Sequence, residues 1–138
     1  MVYYSNSESE TWAIGKLISE KIKQGDKILL DGDIGAGKSV LARGIAAGLG
    51  VTEPMPSPTF TLVNEYDAKY KIYHFDFYRL NDPYELYEIG FEDYVYSEGV
   101  SLIEWYSKGG ELIPNESILV SIKIESGNKR KIEINWTR

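Results

Sequence analysis

An eight-residue segment near the start of the chain, GDIGAGKS at residues 32–39, has the spacing of a phosphate-binding loop. Its three glycines let backbone N–H groups turn inward and approach phosphate oxygens without a collision from Cβ. Lys38 would neutralise charge on the β- and γ-phosphates of a nucleotide, and the hydroxyl of Ser39 would bind Mg²⁺. The segment therefore predicts a nucleotide-binding site.

The residues on both sides of this loop fit the same interpretation. Residues 27–31 are mostly apolar and run directly into the glycines, which indicates a buried strand. Residues 38–49 carry apolar side chains at 41, 42, 45 and 49, which predicts an amphipathic helix. The N-terminus of that helix would add unpaired N–H groups and a positive dipole to the loop. The sequence thus predicts a strand–loop–helix unit.

Signals for further helices and strands occur on both sides of this unit. Ser7 and Glu10 form a capping box for a helix with apolar residues at 14, 17, 18 and 22, which Gly25 would stop. Asp82 is the N-cap expected for a second helix, which Gly90 would close.

Five more stretches have the composition of strands: residues 59–65, 71–77, 100–105, 118–125 and 131–136. A polar turn at 67–69 joins the first two, and residues 126–128 join the last two, so each pair predicts a hairpin. Helices that alternate with strands, combined with hairpins, predict an α/β fold with a mixed sheet.

Length and composition favour one folded domain over residues 1–138, since domains average roughly 150 residues. The chain has no run of 18 apolar residues and no basic start followed by an apolar block. We therefore expect a cytoplasmic protein with no membrane contact. The absence of cysteine excludes disulfides and thiol catalysis. A net charge of −6 argues against a chain that holds nucleic acid by itself.

A magnesium–nucleotide site also needs a carboxylate at the end of a neighbouring strand. Glu104 ends the apolar stretch 100–103, at the strand end where ligands of α/β sheets bind. Asp76 lies among aromatic residues, so once buried it needs a metal, a cation or a hydrogen-bond donor. Both acids are candidates for metal binding and catalysis, and a structural carboxylate is the alternative for each.

Four segments, in order, closely resemble the bacterial TsaE (YjeE) family: residues 32–39, SPTFTLV at 57–63, HFDFYRL at 74–80 and LIEW at 102–105. The likeness extends from about Thr11 to the C-terminus. Members of this family are small P-loop ATPases of tRNA threonylcarbamoyladenosine (t6A) biosynthesis. The resemblance implies a P-loop NTPase-like three-layer fold with a mixed, mainly parallel sheet and short flanking helices.

The resemblance also implies roles for individual residues. Ser39 and Glu104 look like the magnesium ligands, and Asp76 takes the Walker-B-like position near the metal or its water. The residues expected to contact ATP are Thr11, Ile34, Gly35, Ala36, Gly37, Lys38, Ser39, Trp105 and Arg130. Residues 57–59 resemble a switch-like segment. Two positions depart from the family, which usually has Thr in place of Ser39 and often Pro in place of Tyr106.

The implied cofactors are ATP and Mg²⁺, and the implied partners are the proteins TsaB and TsaD. TsaD with TsaB transfers a threonylcarbamoyl group to adenosine 37 of tRNAs that decode ANN codons. A TsaE protein supports turnover of that complex through an ATPase that is weak alone, and it meets tRNA only indirectly.

Two other function classes remain open from the residues alone. A small-molecule kinase would need an acceptor pocket and usually a cationic lid, yet the chain has only four arginines. A nucleotide-gated binding module would bind without hydrolysis. A GTPase is disfavoured because no Asn-Lys-x-Asp segment follows the loop.

Overall fold

The computed structural model describes residues 1–56, 58 and 61–136. Within these residues the chain forms seven strands, β1 (Val2–Ser5), β2 (Lys27–Asp31), β3 (Val63–Asp67), β4 (Lys71–Asp76), β5 (Val100–Glu104), β6 (Ile118–Ser126) and β7 (Lys129–Asn135). The same residues form four helices, α1 (Glu8–Ser19), α2 (Lys38–Gly48), α3 (Glu85–Glu88) and α4 (Phe91–Val95), and a 3₁₀ segment, Tyr106–Leu112.

The described strands form one mixed sheet in the order β1-β7-β6-β2-β5-β4-β3. The four central strands, β6, β2, β5 and β4, pair in parallel. Both edges are antiparallel, because β3–β4 and β6–β7 are hairpins and β1 pairs with β7. The carboxyl ends of β2, β4 and β5 therefore meet at one edge of the sheet, where ligands of α/β proteins bind.

Apolar side chains cover both faces of the sheet and produce three layers. On one face, α1 and α2 pack through fully buried residues such as Ile18, Leu41 and Ile45. On the other face, α3 and α4 cover an aromatic cluster in which Phe75 meets Phe91 edge-on at 5.1 Å between ring centroids. This arrangement confirms the expected three-layer α/β fold with short flanking helices.

Helix α1 begins where the sequence predicts and ends earlier. Ser7 Oγ accepts from the backbone N–H of Glu10 as in a capping box, while Glu10 Oε1 accepts from the N–H of Asn6, one residue before the N-cap. The helix ends at Ser19, because i→i+3 turns carry the chain on to Ile22. Leu17, one of the expected apolar positions, is 48% exposed.

The central hairpin also differs from the prediction at its first strand. Of the predicted stretch 59–65, residues 59 and 60 lie outside the described residues, and β3 begins only at Val63. Leu62 has φ of 65°, which is left-handed backbone that breaks extended structure. The strand then continues to Asp67, and the turn follows at 68–70.

The second predicted helix is a short turn of helix. Asp82 accepts from the N–H of Tyr84 and so acts as a cap, but α3 covers only Glu85–Glu88. Gly90 has φ of 71° and closes α3 as expected, and α4 begins directly after it. The sequence analysis missed α4, β1 and the 3₁₀ segment, each of seven residues or fewer.

Helix α1, with 12 residues, is the longest helix in the described part of the chain. No helix there is long and apolar enough to cross a membrane.

Candidate nucleotide-binding site

The glycine-rich loop lies between β2 and α2, as the sequence predicts. Gly37 is the N-cap of α2 with φ of 112°, and no side chain among the described residues caps this helix. A Cβ at Gly32 would lie 2.6 Å from the carbonyl oxygen of Ile122, so only glycine fits there. The unpaired N–H groups of the first turn thus face the loop and can bind an anion.

Lys38 is held at the opening of the loop although only 7% of it is exposed. Its Nζ donates a hydrogen bond to the carbonyl of Gly32 and lies 3.7 Å from the centre of the Trp105 ring. These two contacts compensate a buried ammonium through a carbonyl dipole and a cation–π interaction. The charge of Lys38 is therefore fixed beside the loop amides.

Trp105 reaches Lys38 because the backbone turns sharply after β5. Its φ is 56°, a left-handed conformation that costs a bulky residue about 1–3 kcal/mol. This turn ends the strand at Glu104, starts the 3₁₀ segment and directs the indole over the lysine. The Tyr78 ring also packs against the indole, with 5.0 Å between the ring centroids.

Tyr106, the position that departs from the TsaE pattern, faces Asp31 at the end of β2. Burial raises the pKa of the Tyr106 hydroxyl above its ordinary value, and the Asp31 carboxylate raises it further. The phenol is therefore neutral and a potential hydrogen-bond donor at physiological pH. The turn at Glu104 and Trp105 therefore forms with tyrosine as the next residue, at position 106.

Asp76 and Glu104 are direct neighbours across the parallel strands β4 and β5. Asp76 is 8% exposed, and one of its oxygens accepts from the backbone N–H of Tyr78 at 2.9 Å. Glu104 is 2% exposed, and its Oε1 accepts from Ser39 Oγ at 3.5 Å. The three residues expected to be metal ligands thus lie at the same edge of the sheet.

His74 is a component of this site that the sequence analysis did not assign to it. Its Nε2 lies 2.7 Å from Oε2 of Glu104, and both side chains are buried. The sequence shows that His74 stands two residues before Asp76 on the same strand. The contact with Glu104 depends on β4 pairing with β5, a long-range contact that the residues around His74 do not reveal.

The donor set at this edge suits magnesium. It contains one hydroxyl and two carboxylates, and oxygen ligands are those that Mg²⁺ prefers. Among the described residues, no three His, Cys, Asp or Glu side chains are grouped so that they could hold a metal ion. Mg²⁺ bound with a nucleotide is usually held by one or two carboxylates together with phosphates and water.

A cleft of about 500 Å³ opens over the loop and these acids. Its walls include Ile34, Lys38, Ser39, Asp76 and Glu104. Ile34 lies at the crest of the loop and is 70% exposed. One cleft therefore joins the cation of the loop, the helix N-terminus and both carboxylates.

A second cavity, of about 310 Å³, lies on the other side of the loop and contains the two remaining candidates. Thr11 is buried there, with its hydroxyl 2.6 Å from that of Ser5. Arg130 reaches the loop from β7 and donates from Nε to the carbonyl of Ala36 at 3.0 Å. Gly35 and Gly37 form the shared wall between this cavity and the cleft.

A family model described as "Threonylcarbamoyl adenosine biosynthesis protein TsaE" matches residues 5–132 of the chain. The match includes all of β2, β4, β5, α1 and α2, and it reaches Arg130 of β7. The chain belongs to the TsaE family.

Individual TsaE proteins give the same result. The tRNA threonylcarbamoyladenosine biosynthesis protein TsaE of Bacillus subtilis is 41% identical over 124 residues, which is 89% of this chain and 77% of the relative. The protein of the same name from Treponema pallidum is 32% identical over 130 residues, covering 94% of this chain and 96% of the relative.

A solved structure similar to this TsaE-family chain is that of YdiB from Bacillus subtilis. It aligns with a TM-score of 0.85 at 33% identity and covers 100% of this chain and 86% of YdiB. The P-loop NTPase fold expected from the TsaE resemblance is thereby confirmed.

Proposed function

We propose that this chain is a magnesium-dependent ATPase subunit that supports threonylcarbamoyl modification of adenosine 37 in tRNAs decoding ANN codons. The observation that supports it most is the convergence of Lys38, Ser39, Asp76 and Glu104 on one cleft over a phosphate-binding loop. The names of the TsaE relatives supply the biosynthetic context.

The triphosphate would bind in the cleft. The loop from Ile34 to Ser39 would surround the phosphates with N–H groups, because α2 has no side-chain cap to compete for them. Lys38 would exchange its hydrogen bond with Gly32 for phosphate oxygens while keeping the indole of Trp105 beside it.

The nucleoside would extend towards the cavity formed by Thr11 and Arg130. This direction follows from the loop, whose residues Gly35 and Gly37 face the cleft on one side and the cavity on the other. Asp76 and Glu104 lie on the cleft side, so the γ-phosphate would bind there, with the sugar and base away from the acids. The planar guanidinium of Arg130 can contact the sugar, the base or the α-phosphate.

Ser39, Asp76 and Glu104 would hold Mg²⁺ together with phosphate oxygens. When bound, the ion supplies positive charge that neutralises the oxygens bridging the β- and γ-phosphates. Asp76 lines the same cleft and would bind the metal or orient a water molecule beside it.

Hydrolysis by the isolated chain would be slow. Arg43 donates to the carbonyl of Met55, so its guanidinium already has a backbone partner. Charge that develops on the γ-phosphate is commonly stabilised by an additional arginine, which a partner protein can supply. TsaB and TsaD are the proposed partners, and they would also hold the tRNA.

Phosphate release with Mg²⁺ and ATP, measured with and without TsaB and TsaD, tests this function. We expect slow conversion of ATP to ADP and free phosphate by the chain alone, and faster conversion when both partners are present. Glu104→Gln should lower the rate about tenfold or more, because it removes a metal-binding charge.

Three other results would contradict the proposal. Transfer of phosphate to a small molecule would favour a kinase. Nucleotide binding without hydrolysis, even with both partners, would favour a binding module. Tighter binding of GTP than of ATP would contradict the nucleotide assignment.

A further inference from the structure

His74 stands on the same face of β4 as Asp76, because side chains two residues apart on a strand share a face. Its direct neighbour on β5 is Leu102, while Asp76 is opposite Glu104. Glu104 therefore has one carboxylate beside it and one imidazole diagonally behind it. His74 is 2% exposed, so water does not compete for its contacts.

The contact between His74 and Glu104 has a defined direction. The distance of 2.7 Å between Nε2 and Oε2 is typical of a hydrogen bond to an ionised acceptor. With the proton on Nε2, the imidazole donates to the carboxylate oxygen, which accepts. The bond occupies Oε2 of Glu104 and leaves Oε1 on the side of Ser39, 3.5 Å from its hydroxyl.

The hydrogen bond from His74 stabilises Glu104 at a place where a second carboxylate, Asp76, lies beside it. Two carboxylates directly opposite each other on neighbouring strands repel. Asp76 receives a backbone N–H from Tyr78, whereas the described hydrogen bonds to the Glu104 carboxylate come from His74 and Ser39. Without the imidazole, Glu104 would keep only the long bond to Ser39 and could rotate away from the cleft.

Of the two ring nitrogens of His74, only Nε2 makes a hydrogen bond to another described residue. His74 Nδ1 is buried and has no hydrogen-bond partner among the described residues. Burying an unsatisfied polar atom is unfavourable, and an apolar ring at this core position would avoid that penalty. The bond to Glu104 is the contact that an apolar ring could not replace.

We propose that His74 is a positioning residue for the metal: it orients Glu104 so that Oε1 and Ser39 face a divalent cation bound with the nucleotide. The inference rests on the proposed magnesium–nucleotide function and adds a residue to it. Residues behind a metal ligand typically change metal affinity by about 10–100-fold when they are replaced.

Two amide variants separate this role from simple packing. His74→Gln places an amide N–H near the position of Nε2, and His74→Asn places it near Nδ1, too far from Glu104. The measurement is binding of a fluorescent ADP analogue during a Mg²⁺ titration, with a parallel titration in EDTA. We expect H74N to raise the half-saturating Mg²⁺ concentration roughly tenfold or more and H74Q to restore most of it.

Ser101→Ala serves as the matched control, because Ser101 is a buried residue of β5 whose hydroxyl has no hydrogen-bond partner among the described residues. It should leave the Mg²⁺ titration unchanged. Nucleotide binding in EDTA should be the same for all variants. If H74N does not fold, His74→Phe replaces it, since phenylalanine keeps the ring and lacks the donor.

Two outcomes would overturn the proposal. Unchanged half-saturating Mg²⁺ in H74N or H74F would make His74 a packing residue only, even if its melting temperature fell. Equal weakening in H74Q and H74N would show that the donor position is irrelevant. Nucleotide binding by the wild-type chain that ignores Mg²⁺ would contradict the proposed function itself, and with it the role of His74.

Discussion

Lys38 illustrates how single residues prepare this site. The residue is only 7% exposed, and its ammonium contacts a backbone carbonyl and the face of Trp105. A largely buried cation beside the loop is held where an anion would stabilise it strongly. The strained backbone of Trp105 adds to this view, because strain of this kind persists where the surrounding structure fixes a functional geometry.

Lys38→Ala should weaken ATP binding by about 100-fold, since hydrogen bonds to charged groups are worth about 1.5–3 kcal/mol. Isothermal titration calorimetry in the presence of Mg²⁺ measures this change. Lys16→Ala is the control, because Lys16 is exposed on α1 and stacks on Trp12. Equal ATP affinity in K38A and the wild-type chain would refute the assignment of the loop.

The sequence predicted most of the site's residues, because loop motifs and strand ends are local features. Lys38, Ser39, Asp76 and Glu104 could each be chosen from their neighbours in the chain. His74 could not be placed against Glu104, since that contact depends on β4 pairing with β5. The left-handed backbone of Trp105 was equally out of reach, because nothing in the residues around it demands a positive φ.

At the scale of elements, the two helices behind the loop pack unusually closely. A Cβ built at Gly44 would lie 2.2 Å from the carbonyl oxygen of Trp12, and one at Gly15 would lie 2.6 Å from that of Leu41. The glycines let α1 and α2 touch backbone to backbone. This contact brings Thr11 of α1 near the loop at the start of α2.

Gly44→Ala should therefore destabilise the fold by about 1–3 kcal/mol through overpacking. The sign of the stability change separates overpacking from helix propensity, because propensity alone would make alanine more stabilising than glycine by about 1 kcal/mol. Urea denaturation measures the change, and Ala13→Gly on the exposed side of α1 reports the propensity effect alone. A more stable G44A protein would contradict the close packing of the two helices.

The hairpin formed by β6 and β7 contacts the phosphate-binding loop through a hydrogen bond from Arg130. Arg130→Ala should weaken ATP binding about tenfold, because it removes a charged hydrogen bond to the carbonyl of Ala36. Lys129→Ala is the control on the same hairpin, since Lys129 stacks on Tyr4. Equal ATP affinity in both variants would show that the hairpin does not support the loop.

Elements with strong local signals were predicted well. β2, α2 and β5 agree with the sequence to within one residue, because apolar spacing and flanking glycines define them. β1 was missed because a four-residue edge strand owes its form to pairing with β7. The end of α1 was misjudged because Ile22 is buried after a turn, and burial alone does not distinguish turn from helix.

At the scale of the whole molecule, charge is unevenly distributed. Residues 81–98 include six acids and no lysine or arginine, and the remainder of the chain has 15 acids and 15 basic residues. The entire net charge of −6 thus falls in the segment around α3 and α4. The chain therefore has no net excess of basic residues with which to hold the phosphate backbone of tRNA.

We expect no binding of tRNA by the isolated chain at physiological salt, since nucleic-acid affinity depends on neutralising phosphates with lysine and arginine. Gel-shift titration with an ANN-decoding tRNA measures this, and the TsaB–TsaD complex is the positive control. A tight, salt-sensitive complex between the chain alone and tRNA would contradict the assignment of tRNA binding to the partners.

Threonylcarbamoylation of tRNA by TsaB and TsaD over many turnovers tests the central claim most directly. The reaction is run without the chain, with the chain, and with its K38A and K16A variants, each with Mg²⁺ and ATP. We predict sustained turnover with the wild-type chain and with K16A, and arrest after about one turnover without the chain or with K38A. Turnover that continues equally in all four reactions would contradict a role for this nucleotide site in tRNA modification.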